Sequence, residues 1–391
     1  MSERTSIVSV VRCASYEEQT VGKAVRAALD LAGLIGAFEG RGSVLLKPNL
    51  LSSRRPEEAV TTHPAVVEAV GEIARSTGCR LALGDSPPFA GENPAKYAAL
   101  LERTGMTAIA QRLGAELVRF EEDVVRVSNA SGRFYRSFEI ARRVEDSDLL
   151  VSVSKLKTHG LTGLTGAVKN LFGCVPGIRK GLFHVQAAED RQTFAQMLVD
   201  LALALPRAVH VMDAVVAMDG EGPNAGRARQ VGLILASEDP VALDAVASAI
   251  VGIDPMSIDT TRLGHVQGLG HGMLDSIEIR GEAIEDVRIA DFAPSSGVNE
   301  WTRIPRPIRS MLKGQLVAVP RFSAGECVGC GDCADACPVK AITPGKPPHV
   351  DLAKCIRCYC CLEVCNLSAV RLRRGLLGRL VQRWQRKKRL G

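Results

Sequence analysis

Aromatic side chains are scarce in this chain: two Trp, four Tyr and ten Phe make up 4% of its 391 residues. That leaves no obvious stacking platform for a flavin. No run of 18 or more uncharged apolar residues occurs, so no membrane-spanning helix is expected. Neither the Gly-x4-Gly-Lys-Ser/Thr order nor Gly-x-Gly-x-x-Gly is present, so no particular nucleotide is indicated. Acidic residues are missing from one stretch, 371–391, which holds nine Lys and Arg. With +6 overall and nine positives there, the rest of the chain carries −3. A nucleic-acid-binding body would carry its own basic face, so that class is set aside. No secretory leader is expected, and scattered thiols at Cys13, Cys79 and Cys174 fit a reducing cytoplasm.

What is abundant is cysteine in one place. Residues 327–365 hold nine of the twelve, and eight read Cys327-x2-Cys330-x2-Cys333-x3-Cys337 and Cys355-x2-Cys358-x2-Cys361-x3-Cys365. Each iron of a 4Fe-4S cluster takes one thiolate, so eight cysteines serve two clusters. Three ligands two residues apart wrap one cube, and the fourth starts a short helix leading to the other. The expected sets are therefore Cys327, Cys330, Cys333 and Cys365 for one cluster and Cys337, Cys355, Cys358 and Cys361 for the other. Disulfides suit small secreted domains, and a zinc ribbon needs only paired Cys-x2-Cys knuckles. Cys360 is a ninth thiol, read as a small buried side chain beside the cluster. Over residues 322–372 the pattern resembles the bacterial two-cluster ferredoxins, with Pro338 after Cys337 and Asn366 where the second proline of that pattern sits.

The first 292 residues alternate strand and helix signals: strands near Val8–Val11, Ser43–Asn49, Arg80–Pro87, Asp148–Ser154, Val209–Met218 and Val231–Ala236, helices at Tyr16–Ala32, Pro64–Thr77 and Pro240–Val251, and a hairpin within 124–141. Alternation of this kind predicts an α/β body, a mostly parallel helix-covered sheet, joined to a small α+β ferredoxin-like domain. The expected boundaries are 1–292 for the body, 293–321 for a proline-marked linker, 322–372 for the cluster domain and 373–391 for a basic amphipathic tail. In that tail Leu376, Leu377, Leu380, Val381 and Trp384 recur at helical spacing. Such a helix docks on the body, lies on an anionic membrane surface, or meets an acidic redox partner.

Open α/β sheets bind ligands at strand ends. The candidates for ligand contact there are Lys47, Asn49, Asp85, Lys155, Lys169, Asn170, Asp213 and Asp219. Lys157, His159 and His184 are the catalytic candidates, the histidines because imidazole titrates near neutrality. The glycine-rich run from Ser154 to Gly173 is expected to turn a strand into a helix whose N-terminus and lysines face an anion. Asp239, before Pro240, reads as a helix cap. The segments Lys47-Pro48-Asn49, Gly84-Asp85-Ser86-Pro87, Lys155-Leu-Lys157-Thr158-His159, Lys169-Asn170-Leu171-Phe172-Gly173 and Asp213-x5-Asp219-Gly220-x-Gly222-Pro223 resemble the family catalogued as domain of unknown function 362. That likeness spans about residues 5–290 and the appended cysteine runs. It implies the architecture and the choice of site residues but no substrate. The resulting expectation is an oxidoreductase taking electrons from, or returning them to, a low-potential carrier protein, with an anionic small molecule bound in the body. The rival expectations are a non-enzymatic electron-transfer or assembly protein, and a non-redox enzyme with structural or sensing clusters.

Overall fold

The computed structural model describes residues 5–88, 92–177, 179–187, 190–295, 317–373 and 375. Most of the expected linker and the amphipathic tail from residue 376 lie outside them. Among the described residues no helix is long and apolar enough to cross a membrane.

The body strands are β1 (Ser6–Arg12), β2 (Ser43–Pro48), β3 (Arg80–Asp85), β4 (Glu116–Arg119), β5 (Val124–Ser128), β6 (Ser137–Ala141), β7 (Leu149–His159), β8 (Gly163–Thr165), β9 (Ala208–Asp219), β10 (Arg227–Ser237) and β11 (Ile277–Gly281). One sheet runs β11-β1-β10-β9-β7-β2-β3-β4, with β8 folded back on β7, and β5 and β6 form a separate hairpin. The β9-β7-β2-β3-β4 run and the β1–β11 pair are parallel; β10 pairs antiparallel with both β1 and β9. This is the α/β, mostly parallel body that the sequence pattern predicts.

Period-two alternation places successive side chains on opposite faces. Val44, Leu46, Leu149, Val151, Val209, Val211 and Ile234 pack on one side with helices Glu18–Leu31, Pro64–Arg75, Pro94–Arg103 and Met106–Leu113. Leu45 and Leu150 pack on the other with Arg191–Ala204, and Met212, Leu233 and Leu235 with Pro240–Ile250. Helix Pro64–Arg75 starts on proline, as read, with the His63 ring accepting the Ala65 N–H. Asp239 caps Pro240–Ile250 by accepting the Val241 and Ala242 N–H groups.

Two strands run well past their expected extents: β10 begins at Arg227, four residues before Val231, and β7 ends later than read. Beyond Ser154, β7 continues to His159, and all eleven of its residues are buried. Lys155 still pairs with Asp213 on β9, and Lys157 through His159 pair with β8. Lys155, Lys157 and His159 therefore project from a central strand rather than from a loop. Charged side chains hid the strand, because local pattern rarely places lysine in a fully buried one.

Strand order reverses between β2 and β7, since β3 and β4 lie beyond one and β9 beyond the other. The ends of β2 and β7 thus form the crevice where doubly wound sheets take ligands.

The cysteine-rich domain pairs β12 (Val319–Phe322) with β15 (Val370–Arg373) and β13 (Ile342–Thr343) with β14 (His349–Val350). It carries two short helices, Asp332–Asp335 and Cys360–Glu363. Its backbone repeats every 28 residues. Left-handed positions at Gly329, Gly331 and Lys340 recur at Arg357, Tyr359 and Ser368, so the second loop adopts with Arg and Tyr what the first adopts with glycine.

Candidate functional site at the strand ends

Most of the candidate acids are already paired. Lys47 Nζ lies 2.8 Å from Asp85 Oδ1, and Asp85 Oδ2 accepts the Leu50 N–H. Asn170 Oδ1 accepts from Lys47 Nζ at 3.3 Å and Asn49 Nδ2 at 3.2 Å, while its own Nδ2 donates to Ser152 Oγ. Lys155 Nζ lies 2.7 Å from Asp213 Oδ2 and donates to the Tyr16 hydroxyl, which donates to Asp213 Oδ1. Asp219 is held by the Arg227 guanidinium at 3.1 Å and by the Ala293 N–H. Lys47, Asp85, Lys155, Asp213 and Asp219 thus form a rigid frame.

Lys157 and Lys169 are different. Lys157 is fully buried, and its ammonium donates to the Val60 carbonyl with no carboxylate at ion-pair distance among the described residues. Burial holds it well below the usual lysine range, and the neighbouring Lys169 adds to the depression. Lys169 is partly buried and has no hydrogen-bond or ion-pair partner among the described residues. Thr165 lies opposite Lys157 in the β7–β8 register, and neither its buried hydroxyl nor Asn49 Oδ1 has a hydrogen-bond partner among the described residues. Two lysines without an ion-pair partner among the described residues, one open hydroxyl and one open amide oxygen thus lie near where the sheet order reverses.

His159 crosses to the cluster domain. Its Nδ1 accepts the Leu161 and Thr162 N–H groups at 3.0 and 3.2 Å, so the ring proton sits on Nε2 and is donated to Glu363 Oε1 at 2.8 Å. Burial, with Lys169 nearby, lowers the imidazole to about 3 and keeps it neutral. For Glu363, burial pushes upward, but Lys169 and the His159 hydrogen bond hold its carboxyl below the usual range. Both nitrogens of His159 are therefore engaged. His184 stacks on Phe194 with centroids 4.5 Å apart, its Nδ1 has no hydrogen-bond partner among the described residues, and burial lowers the imidazole to about 4.

The helix N-terminus expected to face an anion is already filled. The Asp244 carboxylate accepts the Ala167 and Val168 N–H groups at 2.5 and 3.1 Å, at the start of the short helix Ala167–Asn170. Gly166 is needed for that approach, since a Cβ there would lie 2.0 Å from Asp244 Oδ1. The backbone turn therefore binds an internal carboxylate, and the lysines alone remain open.

The cluster domain is gripped from the β9–β10 loop. Asn224 Nδ2 donates to the carbonyls of Glu363 at 3.0 Å and Cys365 at 2.8 Å, with a longer contact to Leu362. Its Oδ1 accepts from Ser52 Oγ and Arg54 Nε, and Arg54 also reaches Ser368 Oγ. Asn224→Ala should cost about 1–3 kcal/mol by stranding buried carbonyls. It should appear as faster amide exchange over residues 360–368 of the loaded protein; unchanged exchange there would leave the clamp without a role.

The cysteines line two cavities. Cys327, Cys330, Cys333 and Cys365 surround one of about 170 Å³, and Cys337, Cys355, Cys358, Cys360 and Cys361 surround a narrower one of about 20 Å³. Phe322, Val328, Leu367 and Val370 wall the first, Ile342 and Ile356 the second. The Ala341 N–H donates to Cys337 Sγ at 3.1 Å. Soft thiols in fours, apolar walls and a backbone N–H on sulfur are the surroundings an iron–sulfur cube takes.

Fold and site together define an α/β protein with an iron–sulfur domain docked over the ends of its strands. Residues 44–249 match the family described as Domain of unknown function (DUF362), and residues 320–343 match the 4Fe-4S binding domain. The chain belongs to the DUF362 family and is an iron–sulfur protein. It is 35% identical over 254 residues to the thylakoid-associated protein sll1697 of Synechocystis, covering 65% of this chain and 77% of that one. Among solved structures it is similar to the lactate racemase apoprotein of Thermoanaerobacterium thermosaccharolyticum (15% identity, TM-score 0.36, covering 61% of this chain) and a protein of Thermotoga maritima (11%, 0.34, 57%). It spans 56% of each of those chains.

Sequence reading did not single out Glu363 or Asn224. Glu363 carried a weak signal: an acid between Leu362 and Val364 inside a cysteine run implies a buried partner. Asn224 carried none beyond its place in a Gly-Pro loop.

Proposed function

We propose that this protein is an oxidoreductase in which Cys327, Cys330, Cys333 and Cys365 hold one 4Fe-4S cluster and Cys337, Cys355, Cys358 and Cys361 a second. Electrons pass from them to an anionic small molecule at the ends of β2 and β7. The clusters supply one-electron steps when bound. Lys157 and Lys169 have no ion-pair partner among the described residues, although Lys169 acts on the Glu363 carboxylate from a distance, and Thr165 offers a hydroxyl opposite Lys157. Lys47, Asn49 and Asn170 wall the crevice, while the Lys155–Asp213 and Arg227–Asp219 pairs hold its shape. His159 positions the cluster domain through its neutral Nε2–H. His184, neutral through burial and with a ring nitrogen left without a partner among the described residues, is the group free to relay a proton.

The observation that carries this reading is the His159–Glu363 hydrogen bond of 2.8 Å. It fixes the helix bearing Cys361 against the strand end that carries Lys155, Lys157 and His159. The name of the Synechocystis relative, with the basic run 371–391, supports contact with a membrane surface as well. The test is oxygen-free purification, counting of iron and sulfide, and chemical identification of what co-purifies. About eight irons per chain with a bound organic or inorganic anion is the expected result. Zinc or empty thiols would remove the redox reading. Eight irons with reversible reduction and no small molecule at any stage would leave an electron carrier.

A further inference from the structure

Helix Arg179–Ala187 joins the body to the cysteine-rich domain. A Cβ at Gly181 would lie 3.5 Å from Pro338 Cβ, so the helix touches the residue that follows Cys337. Lys180, one residue before that contact, is buried against the end of β3. Its ammonium donates to the Ser86 carbonyl and, at 2.6 Å, to Ser86 Oγ. The Ser86 hydroxyl donates onward to Glu121 Oε1 at 2.5 Å, and the Gly177 N–H donates to its oxygen at 2.9 Å. Two acceptor positions and one donor are all that a hydroxyl has, so Ser86 Oγ is fixed in place. It stands between an amine and a carboxylate that make no ion pair with each other.

The surroundings draw these two groups together. Burial lowers Lys180 to about 8, although Asp85 and Glu121 pull it upward. Burial raises the Glu121 carboxyl, although the Ser86 hydrogen bond and Lys180 pull it down. A proton therefore passes between them at less cost than between exposed groups. Glu121 is only partly buried, and its Oε2 has no hydrogen-bond partner among the described residues, which makes it the solvent end of the row. The other titratable groups facing the row are Asp85, Lys47, Cys174, His184, Tyr97 and Glu92. Asp85 and Lys47 hold each other at 2.8 Å, and burial keeps the Cys174 thiol, the Tyr97 phenol and the His184 imidazole neutral. Lys180 is left as the buried amine that changes charge closest to neutral pH. A negative charge added beside its helix favours the ammonium.

We propose that Lys180 takes up a proton when the iron–sulfur group held by Cys337, Cys355, Cys358 and Cys361 is reduced, and that Glu121 and Ser86 deliver it. The proposal rests on the iron–sulfur reading above. One electron leaves the donor and enters that group, and one proton from water enters at Glu121. Glu121 Oε1 passes a proton to Ser86 Oγ, Ser86 passes its own to Lys180 Nζ, and the amine becomes an ammonium.

The test is voltammetry of the full, iron-loaded chain on an electrode between about pH 6 and 10, with iron counted in every sample. Wild type should show one potential that is flat below about pH 8 and falls above it. Its other potential should be flat throughout. The sloping signal should be missing from Cys337→Ala and present in Cys365→Ala; the reverse would overturn the assignment to the second thiol set. Lys180→Met and Lys180→Arg, neither of which changes charge over this range, should each make both potentials flat. Ser86→Ala should keep the slope at slow scan rates and lose it at rates about tenfold or more below those at which wild type does, and Ser86→Thr should restore it. A wild-type chain with two flat potentials would overturn the proposal, as would a slope that survives in both Lys180 variants. Equal scan-rate limits in Ser86→Ala and wild type would remove Ser86 from the path. Absence of iron from the wild-type chain would sink the underlying reading instead, and the iron count separates that case.

Discussion

Replacing Cys365 should empty the site of the first cysteine run and leave the second occupied, although Cys365 belongs to the second run. Its thiol lines the cavity of Cys327, Cys330 and Cys333, while Cys337 lines that of Cys355, Cys358 and Cys361. The reason is geometric. Helices Asp332–Asp335 and Cys360–Glu363 start from loops turned by successive left-handed residues, and each carries its last cysteine away from the loop that holds the other three. Cys365→Ala and Cys337→Ala should each lower bound iron by about half, with opposite cluster signals lost in low-temperature electron paramagnetic resonance. In the double variant both signals should disappear. Cys360→Ala should keep both, because four other thiols already surround that cavity. If Cys365→Ala and Cys330→Ala erase different signals, the crossed arrangement is wrong.

The sequence was most informative where chemistry is local. Cysteine spacing alone specifies the loops and thiols, and apolar runs bounded by proline and glycine mark β2, β3 and β9 within a residue or two. It was least informative where a partner lies far along the chain. Asp244 closes a helix N-terminus 77 residues away, and Glu363 meets His159 across 204 residues. Neither pairing leaves a periodic trace. The continuation of β7 was hidden for a related reason. Lysine and histidine in a buried strand are costly alone, so local pattern ends the strand at Ser154. Asp213 makes Lys155 tolerable there, and Glu363 does so for His159. Spacing also could not separate lysines that are neutralised from those that are not, and that division decides which of them are open to a ligand.

Lys155 and Lys157, two residues apart on one strand, should therefore answer mutation in opposite ways. Lys155 is buried against Asp213 with its remaining contacts satisfied by Tyr16. Asp213→Ala strands that ammonium and should cost about 3–5 kcal/mol of unfolding free energy. The pair Lys155→Met with Asp213→Leu should recover most of the loss, because a matched apolar replacement leaves no buried charge. Lys157 has no ion-pair partner to lose among the described residues. Lys157→Met removes a buried amine with no ion-pair partner, at the cost of leaving the Val60 carbonyl without that donor, and should raise stability by only about 1 kcal/mol in the ligand-free, cluster-loaded protein. The same substitution should abolish capture of the co-purifying anion and any turnover that depends on it, with iron content unchanged. Urea unfolding under anaerobic conditions, run beside iron counting, separates these outcomes. A stabilised, fully iron-loaded Lys157→Met chain that no longer retains the anion is what a binding lysine produces. If Lys157→Met instead destabilises as much as Asp213→Ala, Lys157 is part of the frame, and the anion site must rest on Lys169 alone.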